Sequence, residues 1–133
     1  MQSEHLTNLH PGWVVGGWAI ATSVTAALYL GGVGLGLVTP GTGALPWVIA
    51  SLAGGFYVGG LFVGLRWTDA PILHGAAFSF VSVAVWFLVT LLGDLDTFES
   101  ADIVLGLVLV QFAAASAGGW MGRRVTLGRT ADR

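Results

Sequence analysis

The sequence predicts an all-α integral membrane protein, a four-helix bundle with both termini cytoplasmic. Three observations lead there. Of 133 residues, 55% are hydrophobic and only 9% charged, with a mean hydropathy of +0.82, whereas soluble domains carry about 25% charged residues. Four stretches reach the roughly 20 apolar residues that a helix needs to cross a hydrocarbon core of about 30 Å. All five cations, each an arginine, fall on one side of the topology those spans define.

Residues 1–12 form a polar N-terminal segment. MQSEHLTNLH carries a glutamate and no Lys or Arg, so the positive n-region of a signal peptide is missing. The apolar run 13–38 is about twice the length of a signal h-region and reads as a retained first span. TPGTGALP (39–46) is a tight turn that places Pro46 at the first position of a second span, 46–65. RWTDAP (66–71) offers Thr68 or Asp69 as an N-cap for a third span, 71–92. GDLDTFES (93–100) offers Ser100 for a fourth, 101–121. Residues 123–133 are expected to form an arginine-containing tail.

With four spans, the N-terminus, the second connection and the C-terminus share a side. Arg66, Arg123, Arg124, Arg129 and Arg133 all lie there, while the opposite connections are uncharged or carry Asp94, Asp96, Glu99 and Asp102. The positive-inside rule makes the arginine side cytoplasmic. A three-span alternative with a re-entrant second segment would scatter the arginines. Net charge is −2 and no basic stripe exists, so no nucleic-acid partner is expected. There is no cysteine, which removes disulfides and thiolate chemistry.

GGFYVGGLFVG (54–64) holds five glycines, a composition that weakens a helix in water. In hydrocarbon the backbone must satisfy its own hydrogen bonds, so the segment stays helical. Small residues there let helix backbones approach, and dispersion contacts hold the helices together. Gly55 with Gly59 and Gly60 with Gly64 make two GxxxG pairs on neighbouring faces of the second span, enough for more than one partner helix. Gly12 with Gly16, Gly32 with Gly36, and Ala114 with Gly118 and Gly122 extend the pattern to the first and fourth spans. Gly75 and Ser79, with Ser82 nearby, mark the third.

Trp13, Trp47, Trp67 and Trp120 sit near span ends, where indoles favour the headgroup boundary. Trp18 and Trp86 are deeper. His74 opens the third span near Arg66 and Asp69, and is expected to be structural. Ligation of haem or a chlorophyll magnesium, and proton relay, are the alternatives. Gln111 is the most polar side chain near mid-span and is expected to bond a neighbouring helix through Ser23, Thr25 or Ser82. The same groups, with Thr22, are the candidates for a polar pathway. Arg66 and Asp69 are expected to pair at the surface. No nucleophile with a base, paired carboxylates or metal-ligand cluster converges, so no enzyme, cofactor or metal centre is expected. No carboxylate lies deep in a span, which argues against a proton-coupled exporter.

GWVVGGWAIATSVTAALYLGGVGLGL, PWVIASLAGGFYVGG, LHGAAFSFVSVAVW and GGWMGRR together resemble small uncharacterised bacterial four-span proteins with glycine-rich helices and a Leu-His-Gly opening to the third span. The resemblance runs from about residue 11 to 124. It departs at Val58-Gly59, where those proteins carry Ala-Gly, and at Gly60 or Leu61, where an arginine often follows. It implies the same architecture and brings no activity with it. The expected function is non-catalytic: a bacterial inner-membrane protein embedded in the lipid bilayer. It would act through helix contacts with other membrane subunits or with itself. A small channel or carrier for an uncharged solute, or cofactor binding through His74, are the rival readings.

Overall fold

A computed structural model describes residues 5–41, 43–67, 69–93 and 101–131. After a short 3-10 turn, Leu6–Asn8, the chain forms α1 (Pro11–Gly34), α2 (Leu45–Arg66), α3 (Pro71–Gly93) and α4 (Ala101–Ala131). All four are long and apolar enough to cross a membrane. They run alternately up and down. The start of α1, the α2–α3 connection and the last turns of α4 gather at one end, which also carries Arg66, Arg123, Arg124 and Arg129. Arg133 and the acidic residues Asp94, Asp96 and Glu99 lie outside the described residues, as do the N-cap candidates Thr68 and Ser100.

Two helix ends differ from the sequence expectation by more than two residues. α1 stops at Gly34 rather than at residue 38, because Gly36 adopts φ +70. The Gly36 N–H donates to the Val33 carbonyl and the Leu37 N–H to the Gly32 carbonyl, a Schellman stop that satisfies the last carbonyls of the helix. α4 continues past Met121 to Ala131. Arginines mark where an apolar span ends, but they are good helix formers and do not end the helix itself. The extension has a use. Thr126 Oγ1 donates to the Leu65 carbonyl (3.2 Å), one of the orphan acceptors at the end of α2, and also to the Gly122 carbonyl (3.1 Å). Arg124 lies 3.9 Å above the Trp120 ring, a cation–π contact on the same extension.

α2 is central, with α1 on one side and α4 on the other. α3 bridges α1 and α4 and touches α2 less. The core is small: Val14 and Ala21 from α1, Phe56 and Val63 from α2, Phe78 from α3 and Ala115 from α4. Phe56 and Phe78 meet with ring centroids 5.8 Å apart. Elsewhere backbones do the filling. A Cβ on Gly59 would stand 2.8 Å from both the Gly17 carbonyl oxygen and the Ala21 Cβ, and one on Gly55 would strike Thr25 and Ala21 of α1. On the neighbouring face, a Cβ on Gly60 would strike the Ala115 carbonyl, and one on Gly64 the Gly119 carbonyl. Successive residues of a helix point about 100° apart, so Gly59 and Gly60 serve different neighbours. α4 repeats the device: Gly118 and Gly122 meet α2 at Tyr57 and Leu61, while Gly119 meets Pro71 of α3.

The two small-residue pairs expected in α1 do something else. Gly16 has nothing within 4 Å of a would-be Cβ, Gly12 meets only the His10 ring, and Gly36 lies beyond the helix. A further α1 contact falls on Gly17, against Val63 and Phe78, and of the expected residues Gly32 does make a close contact, beneath the Trp47 indole. Trp47 Nε1 there donates to the Leu28 carbonyl (3.2 Å).

Close contact is concentrated in one half of the bundle. Within the helices the buried positions fall between Val14 and Ala21 in α1, Ser51 and Gly64 in α2, Pro71 and Ser79 in α3, and Ala115 and Gly122 in α4; at the other end Gly32, under Trp47, and Ala44, just before α2, are also buried. Beyond Val83 α3 is less covered, and Phe87, Leu88, Val89, Leu91 and Leu92 are all more than half exposed.

Candidate functional site

Two of the places that hold polar groups inside this frame concern the sequence-expected site residues; Ser51 Oγ and Trp18 Nε1 are buried elsewhere among the described residues. The first joins the helices at the arginine end. His74 is fully buried. The His10 backbone N–H donates to its Nε2 (2.9 Å), so Nε2 carries a lone pair, and the proton sits on Nδ1, which donates to the Ala70 carbonyl (2.9 Å). The same carbonyl accepts the His74 N–H (3.0 Å) and so starts α3. Ala70 reaches this position only by taking φ 49, a left-handed conformation that costs a non-glycine residue roughly 1 kcal/mol. Its carbonyl's two bonds to His74 hold it there. The clasp ties the first residue before α1 to the first turn of α3.

An aromatic cluster covers the clasp. Trp67 lies 5.6 Å from the His10 ring and 6.4 Å from Trp13, and Trp13 lies 6.0 Å from Phe62. Trp13 and Trp67 are therefore packed between helices. Arg66 and Asp69 form no ion pair among the described residues; the Arg66 guanidinium lies 6.0 Å from the Phe62 ring centroid instead. Both His74 ring nitrogens are engaged by backbone groups. The lone pair that axial ligation of haem or chlorophyll would use is already taken by His10.

The second place is a cleft of about 230 Å³ between α2, α3 and α4, just where the exposed half of α3 begins. Its apolar walls are Val48 and Leu52 of α2, Val83 and Trp86 of α3, and Leu107 and Val108 of α4; Ser82 and Gln111 also line it. The last close contacts below the cleft are backbone ones. A Cβ on Gly75 would stand 2.8 Å from the Ala115 carbonyl oxygen, and Ser79 Oγ donates to the Gly75 carbonyl (2.9 Å) and to the Gln111 carbonyl (3.3 Å). Gln111 Oε1 is buried without a hydrogen-bond partner.

That result corrects the expectation of an interhelical bond from Gln111 to Ser23, Thr25 or Ser82. Thr25 Oγ1 donates to the Ala21 carbonyl of its own helix (2.8 Å) and sits against Gly55 in the α1–α2 contact. Thr22 likewise bonds the Trp18 carbonyl of its own helix (2.9 Å). Gln111 and Ser82 share the cleft, while Thr25 belongs to a different contact. The candidate polar groups do not line one path.

Sequence reasoning misses Gly17 and Gly119 as contact residues. Gly119 adjoins the Gly118–Gly122 pair but faces α3, and a search for i, i+4 spacing passes over it. The structure thus defines an all-α chain with four helices of membrane-crossing length and apolarity. Comparison of the chain with protein-family profiles, curated proteins and solved structures finds no match. Function is read from geometry alone.

Proposed function

We propose that this chain is a non-catalytic, multi-pass protein of a bacterial inner membrane, with its arginine end cytoplasmic, that works by helix contact. Its partner is a second copy or another membrane subunit. The observation that carries the reading is the second half of α3, where Phe87, Leu88, Val89, Leu91 and Leu92 are all more than half exposed. In lipid such exposure costs nothing by hydrophobicity, but it forgoes the dispersion contacts that hold membrane helices together. A second chain would supply them.

The glycine faces of α2 do not play this part. Both are occupied within the chain, by α1 and by α4, so the surface offered to a partner is the α3 half. Native mass spectrometry after gentle detergent extraction tests this. A homo-oligomer or a co-purifying membrane subunit is expected, and replacing Leu88 and Leu92 by serine is expected to release it. Recovery of the native chain only as a monomer would contradict the reading.

A further inference from the structure

The unpartnered Gln111 oxygen and the cleft above it point to a ligand. We propose that the cleft binds a neutral, membrane-soluble phenol. The ring and its alkyl substituents fill the apolar space, and the Gln111 carboxamide, part of the cleft wall, turns its buried Oε1 into the cleft to accept from the hydroxyl. The proposal rests on membrane insertion but not on self-association.

Each part follows from the surroundings. A buried carboxamide oxygen left unbonded costs about 1–3 kcal/mol, so an occupant with a donor is favoured over one without. A water bonded to Gln111 and Ser82 would have the number of polar partners that a buried water needs, but it would leave most of the cleft, walled by Val and Leu side chains, unfilled. Gln111 is ten residues into α4, about 15 Å along the axis at about 1.5 Å per residue, near the middle of a core about 30 Å thick. A phospholipid headgroup remains at the surface, and its acyl chain carries no donor. An ion is excluded because no countercharge lines the cleft. Size favours a single substituted ring: an apolar cavity of about 150 Å³ accepts benzene, and this cleft measures about 230 Å³. Trp86 supplies an aromatic wall for it.

The probes are 2,6-diisopropylphenol and 1,3-diisopropylbenzene, which differ by the hydroxyl. Each is titrated into the ¹⁵N-labelled full chain in phosphatidylcholine nanodiscs, and the Gln111 side-chain amide signals are followed. Saturable shifts are expected with the phenol, and about tenfold weaker binding with the hydrocarbon. Gln111→Leu, followed through the Trp86 indole signal, is expected to erase the difference between the two. Leu107→Trp, which fills the cleft and keeps Gln111, is expected to stop both. Equal affinities for the two probes in the native chain would overturn the proposal in favour of an acyl-chain crevice. Binding that survives Leu107→Trp would place the phenol elsewhere and also overturn it. An oligomer that Gln111→Leu dissociates, with no response to phenol, would give the cleft to a second copy. Failure to enter the nanodisc would instead overturn the membrane reading, and it is seen before any probe is added.

Discussion

Replacing Gly60 by alanine is expected to lower bundle stability by about 3 kcal/mol, the upper part of the range for overfilling a closely packed contact. The same change at Gly106 is expected to cost nothing measurable. The added methyl is identical and so is its effect on helix propensity; only the surroundings differ. At Gly60 the new Cβ would strike the Ala115 carbonyl and stand 2.9 Å from the Gly119 nitrogen, whereas at Gly106 nothing lies within 4 Å. The obstacles at Gly60 are backbone atoms, so relief requires α2 and α4 to move apart as rods. That movement also strains the neighbouring contacts at Gly64, Gly118 and Gly122. Gly60→Ala and Gly64→Ala should therefore be less than additive together, because the first substitution has already opened the seam that the second would open. Unfolding in mixed detergent micelles by increasing SDS fraction measures all these variants on one scale.

The second large effect is expected at the histidine clasp. His74→Phe keeps an aromatic ring, larger than imidazole, and deletes the side-chain bonds to His10 and Ala70, each worth about 1 kcal/mol, so a loss of about 2 kcal/mol is expected before any cost of overfilling the buried site. His74→Ala adds a cavity at a fully buried site, and a loss of about 4 kcal/mol is expected from the two effects combined. Both variants should loosen the N-terminal segment, seen as faster amide exchange at His10. The bonding pattern also fixes the tautomer: ¹⁵N spectra of the native imidazole should show the proton on Nδ1. A proton on Nε2 would contradict the clasp, since the His10 N–H would then face another donor.

The architecture is legible in the sequence because its causes are local. Apolar length marks each span, and Pro46 and Pro71 mark two beginnings. The two glycine pairs of α2 indicate two partner helices, and in the structure those are α1 and α4. What the sequence hides depends on relations between helices. Gly17 and Gly16 are adjacent in sequence, and only the direction of α2 and α3 decides that Gly17 makes the contact. The stop of α1 at Gly36 is hidden by its position in a run of glycines and apolar residues, where any of several could take the left-handed turn. Gln111 stands out as the deep polar residue, and its position alone suggests a partner. Whether one exists depends on the cleft between α2, α3 and α4 at that height, which no local pattern encodes. The place of His74 at the start of α3 suggests a structural role. Its actual partner, the His10 backbone, lies 64 residues away and leaves no mark in the sequence.

The bundle is held as four crossing rods, closed by main-chain contact at the arginine end and opening towards the other. Because the chain has no cysteine, single cysteines report on that arrangement directly. Gly43 and Gly128 both lie where an added side chain meets nothing within 4 Å, and they are at opposite ends of the bundle. In intact bacterial cells, a membrane-impermeant maleimide is expected to label the Gly43→Cys variant, and to label the Gly128→Cys variant only after permeabilisation. Labelling of both variants from the same side of the membrane, or recovery of the chain in the soluble fraction, would contradict four spans with the arginines inside.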